Sequence, residues 1–205
     1  KMNMGSDPLI HQGDASMLKP DAEPVPSMKM IPADRADGPE DANITLIVAY
    51  TKNAGSHHFD IEKDLIDVAI AEVNQSFRAS GIDNVRVDVV HTYETDYEEE
   101  GSHFDHVYRF RDKGDGYMDE VHALRDEHGA DVGLLVVDDP NGCGLSVRIA
   151  AGEKDAFAAL HHNCAATMYT LAHEIGHLIG ARLYLFVLSL NPAPPSRPGF
   201  VKGTD

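Results

Sequence analysis

The sequence predicts an α/β fold, in which a twisted mixed sheet of about four or five strands is supported by two helices and joined by a third helix late in the chain. Two observations predict this arrangement. Apolar residues alternate or run together over short stretches that suit strands, and they recur at helical spacing over longer stretches. The chain has 205 residues, of which 42% are hydrophobic, so it can bury the core of one domain of ordinary size.

The first predicted strand and helix lie close together in the sequence. Residues 43–50 form the strand, because Ile44, Leu46 and Val48 occupy every second position there. Residues 64–81 form the helix, which ends at a glycine. The residues of this helix that share one face, and that we expect to be buried, are Ile66, Ile70, Val73 and Phe77.

A second strand is predicted at residues 85–90, and an acidic stretch follows at residues 93–116. We expect this stretch to be a solvated surface loop, because it is acidic and irregular. A Ca²⁺ site formed by acids within residues 93–119 is the alternative. Its candidate ligands, whose order differs from that of an EF-hand loop, are Asp112, Asp115 and Asp119.

Three more elements are predicted before the last helix. Asp115 is expected to cap a helix that runs to His128 and ends at Gly129. Residues 132–137 are nearly all apolar and predict a central strand that is buried on both faces. Residues 145–150 then predict a short strand at the edge of the sheet.

Charge and composition exclude several classes of partner. A net charge of −17 argues against nucleic acid and against an anionic membrane surface, and it fits a secreted bacterial protein. The apolar run at residues 183–190 is too short to cross a bilayer. Cys143 and Cys164 either form one disulfide, as expected outside the cytoplasm, or remain reduced and buried.

The N-terminal region differs in composition from the rest of the chain. Residues 1–41 contain many Pro, Asp, Met and Lys residues without apolar periodicity, so we predict a flexible tail or the remnant of a pro-segment. The sequence starts at Lys1 without the pattern of a signal peptide. We therefore expect either that a signal was removed or that the sequence is a fragment.

The chain contains 12 histidines, and most are expected to be solvated rather than to bind metal. The histidines predicted to lie in loops or on helix surfaces are His57, His58, His103, His106, His122 and His128. His161 and His162 are closer in the sequence to the motif described next.

The most informative motif is HExxH, at residues 173–177. Residues four apart share one face of a helix, so His173 and His177 can direct ring nitrogens at one Zn²⁺ ion. Glu174 can accept a proton from a zinc-bound water and pass it to the leaving amine. The residues expected to form the apolar stripe of this helix are Met168, Leu171, Ala172, Ile175, Leu178 and Ile179. The alternative is a chance HExxH on an amphipathic helix.

The motif and its surroundings resemble the metzincin zinc metallopeptidases, in particular the reprolysin-like bacterial family. HEIGHLIG at residues 173–180 is similar to the start of the family signature HExxHxxGxxH. Residues 43–50 resemble the family's first strand, and residues 64–81 resemble its first long helix. Further segments that resemble the family lie at residues 117–125, 130–138, 142–145 and 161–164.

The resemblance implies a catalytic subdomain over residues 42–182, with zinc ligands His173 and His177 and the general base Glu174. The family's third zinc-binding histidine corresponds to Leu183, which cannot bind metal. His161 or His162 is a conceivable replacement, although nothing in their spacing requires it. The edge strand at residues 145–150 corresponds to the strand that pairs with extended substrate in the family, or it is an ordinary sheet edge.

The segment at residues 183–205 departs from the family pattern. Residues 183–190 are apolar throughout, and residues 191–198 contain four prolines. One hypothesis is a reading-frame shift or sequence error over residues 183 to about 198, followed by truncation. The other is a genuine relative with two zinc-binding histidines.

The sequence thus predicts a secreted zinc-dependent endopeptidase that acts on protein or peptide substrates. The alternative is an inactive metzincin relic that binds peptides or proteins, because Leu183 replaces the third zinc ligand.

Overall fold

One five-stranded sheet organises the part of the chain that the structure, a computed structural model, describes: residues 41–166 and 168–181. Its strands are β1 (Ala42–Thr51), β2 (Val85–Thr95), β3 (Val132–Val137), β4 (Gly144–Ser146) and β5 (Phe157–His161). The α-helices within those residues are α1 (Lys52–Ser56), α2 (Asp67–Ala79), α3 (His103–Arg111), α4 (Glu120–His128) and α5 (Thr170–Leu178). A π-helical turn at Glu62–Ile66 leads into α2.

The strands follow the order β2-β1-β3-β5-β4. All neighbours are parallel except β4, which is antiparallel to β5, so the predicted mixed sheet is confirmed. The carboxyl ends of β1, β3 and β5 meet at one edge of this sheet, where ligands and active sites of α/β proteins are commonly found.

Apolar side chains cover both faces of the sheet. On one face, Leu46 and Val48 of β1 pack in a cluster with residues of α2 and α5. On the other face, Ile47 and Ala49 pack in a cluster with residues of α3 and α4. Successive side chains of β1 therefore pack in two different apolar clusters, one on each face of the sheet, as expected of a strand that is buried on both sides.

The second strand is longer than the predicted residues 85–90. It continues to Thr95, which pairs with Thr51 of β1. The register with β1 shifts between Leu46, which pairs with Val89, and Ile47, which pairs with His91. The extra residue, Val90, forms a bulge, after which pairing resumes. A bulge breaks the two-residue period, so alternation in the sequence ends before the strand does.

The prediction of a solvated loop over residues 93–116 is wrong. The end of β2 and the helix α3 occupy half of it, and Val107 and Phe110 of α3 are buried. A capping box starts this helix: Asp105 Oδ2 accepts hydrogen bonds from the Ser102 backbone N–H at 2.7 Å and from the Ser102 hydroxyl at 2.8 Å.

The helix α4 begins later than predicted, with Asp119 rather than Asp115 as the residue before its first turn. Asp115 instead accepts a hydrogen bond from the Tyr117 N–H at 2.9 Å, within the turn that precedes the helix. Gly129 adopts a left-handed conformation with φ of 62° at the end of α4, as predicted.

Two boundaries near α5 also differ from prediction. The strand β4 ends at Ser146, short of the predicted residues 145–150. The helix α5 begins at Thr170, because Tyr169 has the left-handed φ of 56°, and Met168 therefore lies outside the buried stripe and is exposed. Leu171, Ile175 and Leu178 are buried as expected.

Among the described residues, no helix combines the length and apolar character needed to span a bilayer. The predictions for residues 1–40 and for residues 183–205, including Leu183, lie outside the described residues. The proposed division of the chain into a tail, a catalytic subdomain and an aberrant segment therefore stays a prediction.

Candidate metal centre on helix α5

The helix α5 contains all five residues of the HExxH motif and is held against the sheet by its apolar face. Its polar face leaves His173 exposed and His177 half-buried. The two imidazole rings lie 4.5 Å apart between centroids and are nearly perpendicular, at 82°. The helical spacing thus brings both rings to one side of α5, as expected.

A backbone contact orients the second ring. His177 Nδ1 lies 3.0 Å from the carbonyl oxygen of Ala181, and a carbonyl can only accept a hydrogen bond, so Nδ1 carries the proton. The lone pair of neutral His177 is therefore on Nε2, the nitrogen left for a metal ion.

Glu174 is only 4% exposed, and its carboxylate faces the edge strand β4. Its Oε2 accepts a hydrogen bond from the Ser146 hydroxyl at 2.5 Å. A Cβ added at Gly144 would lie 2.9 Å from Glu174 Oε1 and 2.7 Å from Thr170 Cγ2, so only glycine lets α5 approach β4 this closely. Sequence analysis did not identify Ser146 or Gly144, whose alignment with α5 depends on the tertiary structure.

The segment after β4 caps the end of α5. The backbone N–H groups of Ala150 and Ala151 donate to the carbonyls of His177 and Leu178, at 3.0 and 2.9 Å. These bonds satisfy carbonyl groups that lack partners within the helix. Gly180 then turns the chain with the left-handed φ of 113°.

The predicted disulfide between Cys143 and Cys164 is present, with Cα atoms 5.4 Å apart. It joins the turn before β4 to the loop before α5. The His161 N–H also donates to the Cys143 carbonyl at 2.9 Å, so a covalent bond and a hydrogen bond hold the same two segments together.

Four of the histidines within residues 41–166 and 168–181 are buried, and the prediction of solvated rings was wrong for two of them. His103 and His106 of α3 are buried against Asp139, and His161 and His162 are buried beside Asp138. The two aspartates follow β3 directly, at the carboxyl edge of the sheet. Asp138 and Asp139, directly after a buried strand, were the signal in the sequence that could have indicated these buried histidines, because buried imidazoles need hydrogen-bond partners.

The Asp139 group is closed to solvent. His103 Nδ1 is 2.7 Å from Asp139 Oδ2, and His106 Nε2 is 3.6 Å from the same oxygen. The Tyr97 hydroxyl lies 2.8 Å from His106 Nδ1. Burial lowers the pKa of His106 below its ordinary value, since desolvation disfavours the imidazolium. Burial opposes ionisation of Asp139, but hydrogen bonds from Asn141 and His103 outweigh it and lower the pKa of that carboxyl.

The HExxH pair fits zinc in donor chemistry but supplies only two ligands. Catalytic zinc takes three protein ligands and a water, and imidazole nitrogen is among its preferred donors. Within residues 41–166 and 168–181, the only group of three or more clustered metal-binding side chains is His57, Asp138 and His162. His162 thus belongs to a separate group, rather than to the HExxH pair that it was considered to complete.

The candidate calcium ligands have other partners. Asp119 accepts hydrogen bonds from two backbone N–H groups, and Asp115 accepts one. Asp112 pairs with Arg111. Calcium binding by these carboxylates stays a prediction.

Comparison with known proteins places the sequence among metallopeptidases. The profile of Reprolysin_5, described as metallo-peptidase family M12, matches residues 40–182. The peptidyl-Asp metalloendopeptidase of Xanthomonas campestris pv. campestris is 33% identical over 175 residues, which cover 85% of this chain and 41% of the relative. A protein of the same name from Stenotrophomonas maltophilia strain K279a is 36% identical over 141 residues, covering 69% of this chain and 34% of the relative. The chain therefore spans less than half the length of these curated relatives.

One solved structure shares the fold at low sequence identity. A structure titled as a chaperone-substrate complex aligns with a TM-score of 0.57 and 18% identity, over 69% of this chain and 26% of that chain. Metalloproteinase-II from Bacteroides fragilis aligns with a TM-score of 0.49 and 20% identity, over 70% of this chain and 43% of that chain.

Proposed function

The chain belongs to metallopeptidase family M12, and on that premise we propose that it is part of a secreted zinc-dependent endopeptidase. The observation that carries the proposal is the joint placement of His173, His177 and Glu174 on α5, within the region that matches the family. Zinc bound there would polarise a peptide carbonyl and make a water molecule acidic enough to attack it.

We assign the two histidines as zinc ligands and Glu174 as the general base. The Ala181 carbonyl holds the His177 ring in the tautomer that leaves Nε2 free. The Ser146 hydroxyl holds the Glu174 carboxylate beside β4, where it accepts a proton and later donates it to the leaving amine. Ser146 is a positioning residue in this proposal, because it acts through Glu174.

The proposed substrate is an extended segment of a protein or peptide. The strand β4 lies at the edge of the sheet, adjacent to α5, and an edge strand can bind a peptide by backbone hydrogen bonds. The relatives named peptidyl-Asp metalloendopeptidase suggest substrates that contain aspartate. The net charge of −17 makes nucleic acid an unsuitable partner.

Secretion is supported by the disulfide between Cys143 and Cys164, since such bonds persist in oxidising compartments. Fractionation of cells that produce the protein tests this part of the proposal: the protein should be recovered from the medium, and its recovery from the cytoplasm would contradict it.

An inactive relic that binds peptides is the second candidate, and Leu183 favours it. Without a third protein ligand, two histidines would hold zinc weakly. The two candidates differ in whether bound peptide is cleaved.

Bound zinc and cleavage of an aspartate-containing peptide, measured side by side, test the proposal. Glu174→Gln should lower kcat at least about 100-fold while zinc content is unchanged, because it removes only the base. Glu127→Gln is the matched control, since it removes an exposed acid from α4 and should change neither quantity. Activity that survives Glu174→Gln would exclude the proposed mechanism.

Leu183→His tests the role of the missing ligand. If the leucine weakens zinc binding, the histidine should increase zinc affinity at least about 10-fold and raise the cleavage rate. A variant that gains neither zinc nor activity would show that the missing-ligand account is wrong. Peptide binding without cleavage in both proteins would support the relic.

A further inference from the structure

Three potential metal ligands from separate segments converge at the carboxyl edge of the sheet. His57 follows α1, Asp138 follows β3 and His162 follows β5. His57 Nε2 lies 3.1 Å from Asp138 Oδ2, and His162 Nε2 lies 3.1 Å from Asp138 Oδ1. One donor atom from each residue lies within 4.8 Å of the other two.

We propose that His57, Asp138 and His162 form a second metal site, which binds a divalent first-row transition-metal ion such as Zn²⁺. This site is distinct from the HExxH pair on α5, so it does not rest on the proposed peptidase function.

Hydrogen bonds that need no ion fix the main chain at all three residues. The Asp138 N–H donates to both carboxylate oxygens of Glu99, at 2.9 and 3.0 Å. The His162 N–H donates to the Val137 carbonyl at 2.9 Å, and the His57 N–H closes the last turn of α1. Ligands placed in this way lose little conformational freedom when the ion binds.

The other nitrogen of the His162 ring also has a partner. His58 Nε2 lies 3.1 Å from His162 Nδ1. If His162 Nδ1–H donates to His58, the lone pair of His162 is on Nε2, which faces Asp138. Metal-binding histidines commonly have such a hydrogen bond on the second nitrogen, because it fixes the tautomer and the ring orientation.

The donor set and its spacing select the class of ion. Two imidazoles and a carboxylate suit Zn²⁺ and its first-row neighbours, whereas Ca²⁺ and Mg²⁺ require mostly oxygen ligands. Tetrahedral zinc with bonds of about 2.0–2.1 Å separates neighbouring ligand atoms by about 3.3 Å. The two separations of 3.1 Å are close to this value, although they lead to different oxygens of Asp138. The His57 and His162 rings are stacked with centroids 4.4 Å apart, so binding of one ion by both requires the half-exposed His57 ring to turn. The His57 side chain is 49% exposed and provides a route for the ion.

Such an ion would stabilise the segments that lead to α5. The disulfide between Cys143 and Cys164 already joins the loop after β3 to the loop after β5. Asp138 and His162 belong to these same two loops, and His57 adds the turn after α1. The ion would therefore connect a third segment to the pair that the disulfide holds.

Zinc titration of the metal-free protein tests the proposal, with His173→Ala/His177→Ala as the background that removes the HExxH pair. We expect this background to retain one zinc ion per chain by equilibrium dialysis, and its Tm to rise when zinc is added. His57→Asn or Asp138→Asn in the same background should weaken binding at least about 100-fold, because each removes a direct ligand.

His91→Asn/His128→Asn is the matched control. The His91 and His128 rings are stacked with centroids 4.1 Å apart, as the His57 and His162 rings are at 4.4 Å, but they lie outside the group of His57, Asp138 and His162. Their removal should leave zinc affinity unchanged. His57→Asn is the deciding variant, because the His57 side chain is half-exposed and its removal disturbs the core least.

Two results would overturn the proposal: a background protein that binds no zinc at millimolar concentration, or a His57→Asn variant that binds zinc as tightly as the background. Loss of peptidase activity in the background protein bears only on the HExxH pair, so the two sites are tested separately. The NMR signals of the His57 and His162 ring protons should shift together on zinc addition to the wild-type protein.

Discussion

The hydroxyl of Ser146 on β4 donates a hydrogen bond to the carboxylate of Glu174 on α5, across 28 positions of sequence. This bond connects the edge strand to the helix that carries the two candidate zinc ligands. It also gives a nearly buried carboxylate a hydrogen-bond donor, without which its burial would be unfavourable.

Ser146→Ala should lower the free energy of unfolding by about 1–3 kcal/mol, because Glu174 would keep its burial and lose its donor. Urea denaturation measures this change. Ser146→Thr retains the hydroxyl and should recover part of the loss. Equal midpoints for the alanine variant and the wild type would show that the bond contributes nothing.

Gly144→Ala should destabilise the protein by about 1–3 kcal/mol, because its Cβ would lie 2.7 Å from Thr170 Cγ2 and 2.9 Å from Leu160 Cδ2. Gly152→Ala is the matched control. Its backbone φ is −87° and a Cβ there meets no atom within 4 Å, so its effect should stay within about 0.5 kcal/mol. Thermal denaturation of the two variants compares them, and equal Tm values would refute the close contact between β4 and α5.

Opening the disulfide should lower stability by about 3 kcal/mol, since Cys143 and Cys164 close a loop with a sequence separation of 21 residues. The measurement is urea denaturation of Cys143→Ser/Cys164→Ser against the wild type. A reducing agent should destabilise the wild type and leave the double variant unchanged. A double variant as stable as the wild type would contradict the prediction.

Stability should fall as the pH is lowered below about 6.5, in part because of His106. Burial lowers the folded-state pKa of His106, so the unfolded chain takes up this proton first. The contribution of His106 to the free energy of unfolding is complete above its pKa in the unfolded chain and is lost as the pH falls toward its pKa in the folded protein. Asp139, whose pKa is also lowered, adds a second loss below pH of about 3.9.

The groups that act on His106 include Glu99, Asp139, His103 and Arg109. One proton changes the free energy of unfolding by at most about 1.4 kcal/mol per pH unit. Urea midpoints between pH 5 and 7.5 should therefore vary less steeply for His106→Gln than for the wild type. If the urea midpoints of the two proteins change equally with pH, His106 does not control stability between pH 5 and 7.5.

Elements with a strong local pattern were predicted correctly. The continuous apolar run of β3, the one-turn spacing of His173 and His177, and the left-handed Gly129 all follow from neighbours along the chain. The helix α3 was missed because its capping box, at Ser102 and Asp105, lies within an acidic stretch. Its buried Val107 and Phe110 are too few to show a clear helical period.

The sequence by itself determined the family, the HExxH turn and four of the five strands, because short-range spacing specifies each of them. It did not predict β5 (Phe157–His161), and it left open whether Cys143 and Cys164 form a disulfide. Only the tertiary structure decided that Glu174 contacts Ser146 and that buried histidines lie against Asp138 and Asp139. His57 and Asp138 are 81 positions apart, and His58 and His162 are 104 apart. The parallel order of β1, β3 and β5 brings their carboxyl ends to one edge, and spacing along the chain carries no record of that proximity.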